Sequence, residues 1–381
     1  MSSLTQLEAL YLENTSIRWE METEKVERSN AILDKLKHLS NLTTLEIHIP
    51  DAKMSKGLMF HKLERYKIFI GDHSKIWPMY GKAKYETSKA LTLKLQTSEV
   101  GIIAQLKGIR SLHLNQIPSV SNLLHELGRE GSLELRHLKV QNSPYTSCII
   151  DSMRPIIDTN AKGVFISENR QVISESLFNE MVVLPIMETL NLSDIDVENF
   201  WHNQLPGMSS SHLEISDCPI LEEMVVIEEG KRDIKLLFPQ LHHLRIDHLV
   251  KLRKLYSGNY IGFPSLKEME IVNCFQLREF IFDDKVLLPN LEILNLSNID
   301  VEKIWHNQRP GMSSSLRRLY SGNYIKFPSL KELEIENCFN MRAFIFEDKV
   351  GFPSLEKMKI SDMFNLKRIW HNQLAGTHFT N

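Results

Sequence analysis

Long apolar runs, an excess of one charge and a cysteine framework are all missing from this chain of 381 residues. No apolar stretch approaches the ~20 residues that a membrane-spanning helix needs, so no membrane span is expected. Lys and Arg number 45 against 48 Asp and Glu, and the formal net charge of -3 provides no basic field for nucleic acid. Four cysteines are too few for a disulfide scaffold, which favours a reducing compartment.

Catalytic and targeting motifs are missing as well. The sequence contains no G-x-x-x-x-G-K-[ST] phosphate loop, no G-x-S-x-G, no H-E-x-x-H and no kinase signature set. We therefore expect no enzyme activity and no cofactor. The first residues show no basic segment followed by an apolar segment, so no secretory signal is expected. These observations predict a cytoplasmic protein, with a nuclear or peripherally membrane-associated location as the alternatives.

What the sequence does contain is a repeat. Leu-Pro or Phe-Pro dipeptides in the second half introduce one kind of segment, seen in PIMETLNL, PQLHHLRI, PSLKEMEI, PNLEILNL, PSLKELEI and PSLEKMKI. Several of these dipeptides are 25 residues apart. The interval from 184 to 238 has room for two units, and HLEISDC at 212–218 supplies the second. The interval from 288 to 327 allows one unit with an insertion or two compressed units.

A 25-residue period that contains L-x-x-L-x-L-x-x-N/C-x-L is typical of leucine-rich repeats. The L-x-L core predicts a short strand whose alternate side chains point inward, and the N/C position is expected to turn the chain out of the strand. One unit cannot bury its own apolar face, so neighbouring units stack. Two clear units place on the template Leu266, Met269, Ile271, Cys274 and Leu277, and Leu330, Leu333, Ile335, Cys338 and Met341.

These features predict an α/β repeat fold, a leucine-rich-repeat solenoid. Such a fold is a curved horseshoe with a parallel β-sheet on its concave face and loops and short helices on its convex face. We expect one continuous solenoid in three parts: irregular N-terminal repeats in 1–142, an irregular repeat or insertion in 143–183, and regular repeats in 184–381. The third part carries duplicated blocks, which include WHNQ at 201–204, 305–308 and 370–373.

Further elements are predicted from apolar spacing. Residues 23–39 have helical spacing and would cover the convex face, and 163–167 is a further candidate strand. Six segments of the first part have the spacing of strands: 7–12, 42–49, 63–68, 91–95, 109–114 and 135–140.

The residues between the strand leucines line the predicted concave face, which is the surface that repeat proteins use for partners. Neighbouring positions add Glu268, Glu332, Glu336 and Lys357. The result is a mixed, charged ribbon with an acidic bias, which is either a partner site or a solvated surface. The central residues in the clear units are Asn191, Glu214, Arg245, Glu270, Asn295, Glu334 and Lys359.

Three other residue types have both a structural and a functional interpretation. Cys218, Cys274 and Cys338 all lie at N/C positions two or more units apart, which fits small buried side chains better than the close ligand spacing of a metal site. His242 and His243 lie on the predicted strand surface, as a solvated face or a pH-sensitive patch. The tryptophans of the WHNQ blocks are either packing residues or interface anchors.

The segment LTTLEIHIPDAKMSKGLMFHKLERYKIFIGD (42–72) and the units FPSLKELEIENC and FPSLEKMKISDMFNLKRIW resemble the leucine-rich-repeat region of plant coiled-coil nucleotide-binding disease resistance proteins. The resemblance covers nearly the whole chain and is weakest at 143–183. The L-x-G-x-I-P pattern of extracellular plant repeats is absent. The resemblance implies a role in innate immunity, in which the repeats sense pathogen effectors or effector-modified host proteins and hold a nucleotide-binding switch inactive.

The coiled coil and the nucleotide-binding domain of that family are not in this sequence, so ADP or ATP binding is not carried over. We expect a fragment, a truncated product or a stand-alone repeat protein. The implied partners are proteins: an effector or a guarded host protein, and the receptor's own nucleotide-binding domain if it is attached. Two alternatives remain. One is the substrate-recognition arm of an F-box ubiquitin ligase, although no F-box-like segment precedes the repeats, and the other is a truncated remnant without a partner.

Overall fold

The computed structural model describes residues 6–12, 36, 38–49, 62–71, 88–94, 108–117, 120, 124, 134–143, 146–151, 175–178, 186–197, 199–202, 210–226, 235–236, 239–257, 261–277, 286–301, 325–341, 343–345 and 350–370. The strands in these residues are β1 (Ala9–Tyr11), β2 (Thr44–Ile49), β3 (Arg65–Gly71), β4 (Lys89–Lys94), β5 (Ser111–Asn115), β6 (His137–Ser143), β7 (Thr146–Asp151), β8 (Glu175–Phe178), β9 (Thr189–Ile195), β10 (Asn199–His202), β11 (His212–Ser216), β12 (Glu223–Val226), β13 (Lys235–Leu236), β14 (His243–Asp247), β15 (Lys254–Ser257), β16 (Ile261–Gly262), β17 (Glu268–Val272), β18 (Val286–Leu287), β19 (Ile293–Ser297), β20 (Ile325–Lys326), β21 (Glu332–Glu336), β22 (Ala343–Ile345), β23 (Val350–Gly351), β24 (Lys357–Ser361) and β25 (Arg368–Trp370).

Thirteen of these strands form the main sheet, in the order β1-β2-β3-β4-β5-β6-β9-β11-β14-β17-β19-β21-β24. Pairing between neighbours is parallel, and the order follows the chain, as stacked repeats require. The parallel sheet of a repeat fold, predicted from the sequence, is therefore confirmed. The chain divides into two units, one of Met1–Pro144 with Met181–Leu190 and one of Tyr145–Glu180 with Asn191–Asn381.

The first unit contains β1 to β6, and each of β1 to β5 pairs with the next strand along the chain. All six segments of 1–142 that were predicted as strands contain one. Side chains alternate between the two faces, so Leu45, Ile47 and Ile49 of β2 are buried. Most of the predicted helix at 23–39 lies outside the described residues, although Leu36 is helical and Leu39 is buried.

The second unit contains the regular repeats. Strands β11, β14, β17, β19 and β21 share one burial pattern, in which the second and fourth residues are buried and the others are partly exposed. β19 pairs directly with β21 although Ile293 and its partner Glu332 are 39 positions apart, so the long interval holds one unit with an insertion. Buried template positions include Leu266, Ile271, Cys274, Leu330, Ile335, Cys338 and Cys218.

In the second unit, the described connections between the main strands differ from the prediction of loops and short helices. In the described residues of the second unit they contain short parallel strands, arranged as β15-β12-β10-β7-β8, β13-β16-β18, β20-β23 and β22-β25. Segments such as EMVV in β12 and AFI in β22 are rich in residues that favour strands. A 25-residue unit also leaves little length for a helix of several turns. The candidate strand at 163–167 lies outside the described residues.

Four of the Phe-Pro and Leu-Pro dipeptides form the turn that enters the next main strand, before β17, β19, β21 and β24. The amide of Leu330 donates to the carbonyl of Phe327 at 3.4 Å, which closes a four-residue turn with proline in its second position. The residue after the proline links neighbouring units, since Ser329 Oγ donates to the carbonyl of Pro289 at 3.1 Å. Phe327 is buried and stacks on Phe352 of the next unit at a centroid distance of 5.7 Å. The F-P-S-L motif is therefore a structural joint between units.

A second turn follows each main strand from β11 to β24, one residue before the N/C position to which the sequence analysis assigned it. Asn273, Asn298 and Asn337 have positive φ values of 58°, 54° and 57°, in the left-handed region that Asn tolerates better than most residues. Their side chains form a ladder: Asn273 Nδ2 donates to Asp247 Oδ1 at 3.0 Å, Asn298 Nδ2 donates to Asn273 Oδ1 at 2.7 Å, and Asn337 Nδ2 donates to Asn298 Oδ1. The residue that follows each of them, which is Cys274, Ile299 or Cys338, is consequently directed into the core.

Truncation of Leu330 tests the nearest-neighbour stacking. Leu330→Ala should lower the free energy of unfolding by about 2–5 kcal/mol, because transfer energy is lost and a cavity remains. Hydrogen exchange should accelerate first in the units that contain β19, β21 and β24, since a unit contacts only its neighbours. Lys267→Ala, at an exposed position, is the control and should change neither quantity measurably. A uniform increase in exchange along the whole chain would contradict this account.

Replacement of Asn298 tests the left-handed turn. Asn298→Ala should cost about 1–2 kcal/mol in backbone strain in addition to the lost ladder bonds, whereas Asn298→Gly loses only the bonds and some chain entropy. Urea unfolding should therefore rank the glycine variant above the alanine variant. At Asn295, which lies within β19, the rank should be reversed, since glycine weakens a strand. The same rank at both positions would exclude strain at the turn.

Candidate functional site

Six of the seven central residues that the sequence analysis placed on the polar face of the sheet lie in one register in the second unit. Glu214 pairs with Arg245, Arg245 with Glu270, Glu270 with Asn295, Asn295 with Glu334, and Glu334 with Lys359. The side chain of Asn191 joins the series through its hydrogen bond to Glu214. We call the set of Asn191, Glu214, Arg245, Glu270, Asn295, Glu334 and Lys359 the central row. Strand pairing therefore aligns residues that are 25 to 39 positions apart in sequence.

Arg245 joins three carboxylates at one end of the central row. Its guanidinium contacts Glu270, lies 3.6 Å from Glu214 Oε1 and donates to Asp247 Oδ2 at 2.8 Å. Asn191 extends this network, since its Nδ2 donates to Glu214 Oε2 at 2.7 Å. Arg245 and Glu270 are 37% and 29% exposed, so both remain accessible to a partner while the network holds their orientation. Asp247, which sequence reasoning did not single out, is 20% exposed and is the most enclosed of the four charges.

The other end of the central row contains a second ion pair. Lys359 Nζ contacts Glu334 directly and lies 3.8 Å from Glu336 Oε2. A parallel pair lies two residues earlier on the same strands, where Lys357 Nζ is 3.0 Å from Glu332 Oε2. These groups are roughly a third to three-fifths exposed, and exposed pairs contribute little to stability. Their main effect is to fix which charge is presented at each step of the row.

The pKa values follow from these contacts. Burial alone would raise the pKa of Asp247, but hydrogen bonds from Asn273, His248 and Arg245 outweigh it and lower that pKa. Lys359 lowers the pKa of Glu334, mainly through a hydrogen bond, and Glu334 raises the pKa of Lys359. Partners thus favour each other's charged forms, which keeps these groups ionised around neutral pH. The stability that Asp247 adds is present above its unfolded pKa and is lost as the pH falls through its lower folded pKa.

Histidines lie beside the central row. The rings of His212 and His243 stack at a centroid distance of 4.3 Å and an interplanar angle of 7°, and His243 Nδ1 lies 2.8 Å from Glu268 Oε2. His248 occupies the left-handed turn, with Nδ1 at 2.8 Å from Asp247 Oδ1. The predicted solvent-facing position of His243 agrees with its 42% exposure. The histidines therefore belong to the hydrogen-bonded surface, and their use as a pH-sensitive patch stays a prediction.

The three cysteines of the N/C positions are buried and separate from one another. The Sγ of Cys274 donates to the carbonyl of Val272 at 3.3 Å, and Cys218 and Cys338 make the same contact two residues back. Burial raises the pKa of the Cys218 and Cys274 thiols to about 12, and that of Cys338 to about 11. Within the described residues, His, Cys, Asp and Glu form no group of three that would hold a metal. Cys148 lies in β7.

The WHNQ tryptophans lie partly within the short strands. Trp201 in β10 pairs with Ile150 and Val225, and Trp370 in β25 pairs with Ile345. Trp305 lies outside the described residues. Their use as interface anchors stays a prediction. No helix in the described part of the chain is long and apolar enough to cross a membrane.

Comparison with known proteins found no similarity: no protein-family model, no curated protein and no solved structure matches this chain significantly.

Proposed function

We propose that this chain is the leucine-rich-repeat recognition module of an intracellular plant immune receptor, and that it binds other proteins without catalysis. The observation that carries the proposal is the central row, a regular series of oriented, partly exposed charges on neighbouring parallel strands. Such an extended, ordered face is the surface through which repeat proteins bind partners. The assignment to the plant receptor family rests on the resemblance of the repeated units that is described in the sequence analysis.

The charges of the central row favour selective recognition over high affinity. A partner with complementary charges gains contacts with groups that are already oriented, so little side-chain entropy is lost on binding. A partner with the wrong charges meets carboxylates and cations that cannot rearrange without breaking ion pairs such as Arg245–Glu270. In this proposal the acidic bias of the row selects partners with a basic surface, whether an effector, a guarded host protein or the receptor's own nucleotide-binding domain.

Restraint of a switch domain is the second part of the proposal. In the resembling family the repeats hold a nucleotide-binding domain inactive until an effector is sensed. A charged face suits that role, because weak and exposed ion pairs can be exchanged for others when a competing partner arrives. The curved horseshoe with its concave binding face belongs to the same proposal.

A charge swap tests recognition by the central row. Glu334→Lys combined with Lys359→Glu keeps an ion pair between β21 and β24 but inverts the charges presented to a partner. We expect cross-linked partners recovered from plant cells to decrease about tenfold or more, since like charges at an interface are strongly unfavourable. The matched control is Glu292→Lys with Lys331→Glu, a pair with a 2.6 Å contact between the residues that precede β19 and β21. Equal recovery with both swaps and the parent chain would exclude the central row as the binding surface.

The receptor assignment has a test of its own. The native transcript should be mapped at its 5′ end and translated upstream of Met1. We expect an open frame that continues into a G-x-x-x-x-G-K-[ST] phosphate loop and a coiled coil, the domains of the resembling family. A message that starts at Met1 would contradict restraint of a covalently attached switch domain, and recognition by the central row would then be the function of a free-standing module.

A further inference from the structure

A row of exposed apolar side chains lies at the turns that follow the main strands, away from the central row. Six large apolar side chains of the described residues are strongly exposed, and four of them occupy the same position in successive units of the second unit: Val250, Phe275, Phe339 and Phe364. Each is the second residue after a left-handed residue. The corresponding position in the unit of β19 is Asp300. We call Val250, Phe275, Asp300, Phe339 and Phe364 the edge row.

The phenylalanines are held out of the core by the backbone. The amide of Leu277 donates to the carbonyl of Cys274 at 3.1 Å, and Met341 donates likewise to Cys338 at 3.3 Å. Each bond closes a turn whose second residue is the phenylalanine, while the first and last side chains of the turn are buried. The turns therefore fix the points at which the rings leave the backbone, so a partner that covers the rings does not have to order the chain beneath them.

The exposure of these rings is large for a protein surface. Phe275 and Phe339 are 50% and 44% exposed, and Phe364 is 77% exposed. The rings of Phe339 and Phe364 stack at a centroid distance of 6.1 Å and an interplanar angle of 9°, so they form one continuous apolar surface. Contiguous exposed apolar surface with a polar border marks interaction sites on soluble proteins.

The border of this apolar surface is acidic. Asp300 lies in the edge row between Phe275 and Phe339, and the Nδ2 of Asn340 donates to its Oδ1. Asp362 is exposed and is the left-handed residue two positions before Phe364. In the described part of the chain, no Lys or Arg lies within salt-bridge distance of Asp300 or Asp362. The negative charge of Asp300 also acts on its surroundings, because burial and Asp300 together raise the pKa of the Cys338 thiol.

Aromatic faces beside a carboxylate suit one kind of side chain. A guanidinium stacks on aromatic rings through cation–π attraction and donates two parallel hydrogen bonds to a carboxylate. Neighbouring units repeat at about the strand spacing of 4.8 Å, so the rings on both sides of Asp300 are within reach of one arginine and its neighbours. We propose that the edge row from Phe275 to Phe364 is a docking surface for an apolar segment of a partner protein that carries arginine.

This surface does not depend on the proposed function of the central row. It uses turn residues rather than strand residues, and an arginine-bearing segment can bind to it whether or not the central row recognises a partner. The two surfaces can therefore be tested separately, with the swap of Glu334 and Lys359 as the variant that affects only the central row.

Fluorescence anisotropy with a defined probe tests the docking surface. The probe is a fluorescein-labelled peptide of alternating arginine and leucine, and the comparison peptides replace arginine with lysine or with glutamate. We expect the full chain to bind the arginine peptide best, the lysine peptide more weakly and the glutamate peptide not at all. Phe339→Ser and Asp300→Asn should each weaken the binding of the arginine peptide about tenfold, and the swap of Glu334 and Lys359 should leave it unchanged.

Matched controls guard against non-specific adsorption and misfolding. Tyr11→Ser removes another exposed aromatic ring, at 58% exposure, and Glu356→Gln removes another exposed carboxylate. Both should bind the arginine peptide as the parent chain does. Asp300→Asn is nearly isosteric and keeps the affinity readout interpretable if Phe339→Ser fails to fold.

Two results would overturn the proposal. The first is equal affinity of the parent chain, Phe339→Ser and Asp300→Asn for the arginine peptide, which would mean that the peptide binds elsewhere. The second is a concentration-dependent dimer in sedimentation velocity that Phe364→Ser converts to monomer, because the occupant of the edge row would then be a second copy of this chain.

Discussion

Parallel register is the constraint on which the rest of the structure depends. Each main strand pairs with the next so that equivalent positions of successive units face each other, as Ile246 faces Ile271 and Ile271 faces Leu296. A shift of one residue would place buried side chains in solvent and charged side chains in the core. The turns at both ends of the strands help to prevent that shift. The proline turn links units before the strand, and the asparagine ladder links them after it.

The parts of the fold that recur in the sequence could be predicted, and the parts that depend on a single connection could not. Alternating apolar residues located the main strands, because burial of one face imposes a period of two. The same pattern is silent on the connections, where EMVV in β12 and RIW in β25 form strands in place of the expected helices. The left-handed turn was assigned one residue too late, since the template marks the buried cysteine and not the preceding Asn or Asp.

The candidate site was likewise predictable only in part. The template was sufficient to name the central row, because it depends only on which residues lie between buried leucines. The partners of those residues were not predictable, since Glu214 and Glu270 join Arg245 through register between strands and not through proximity in sequence. The edge row was missed because the position after the N/C residue has no fixed character in the template. Only the structure brings Asp300 and Phe339 to equivalent places in neighbouring units.

The long connection between β19 and β21 shows that a unit can change in length without a change in strand register. Ile293 pairs with Glu332 across 39 positions, where the neighbouring units use 25, yet the strand pairing, the proline joint and the asparagine ladder are all retained. The contacts between these units are therefore the same, whereas the lengths of the connections differ. A chain built in this way can gain or lose sequence within a connection, or copy whole blocks of units. It acquires new surface while the contacts that stabilise neighbouring units stay the same.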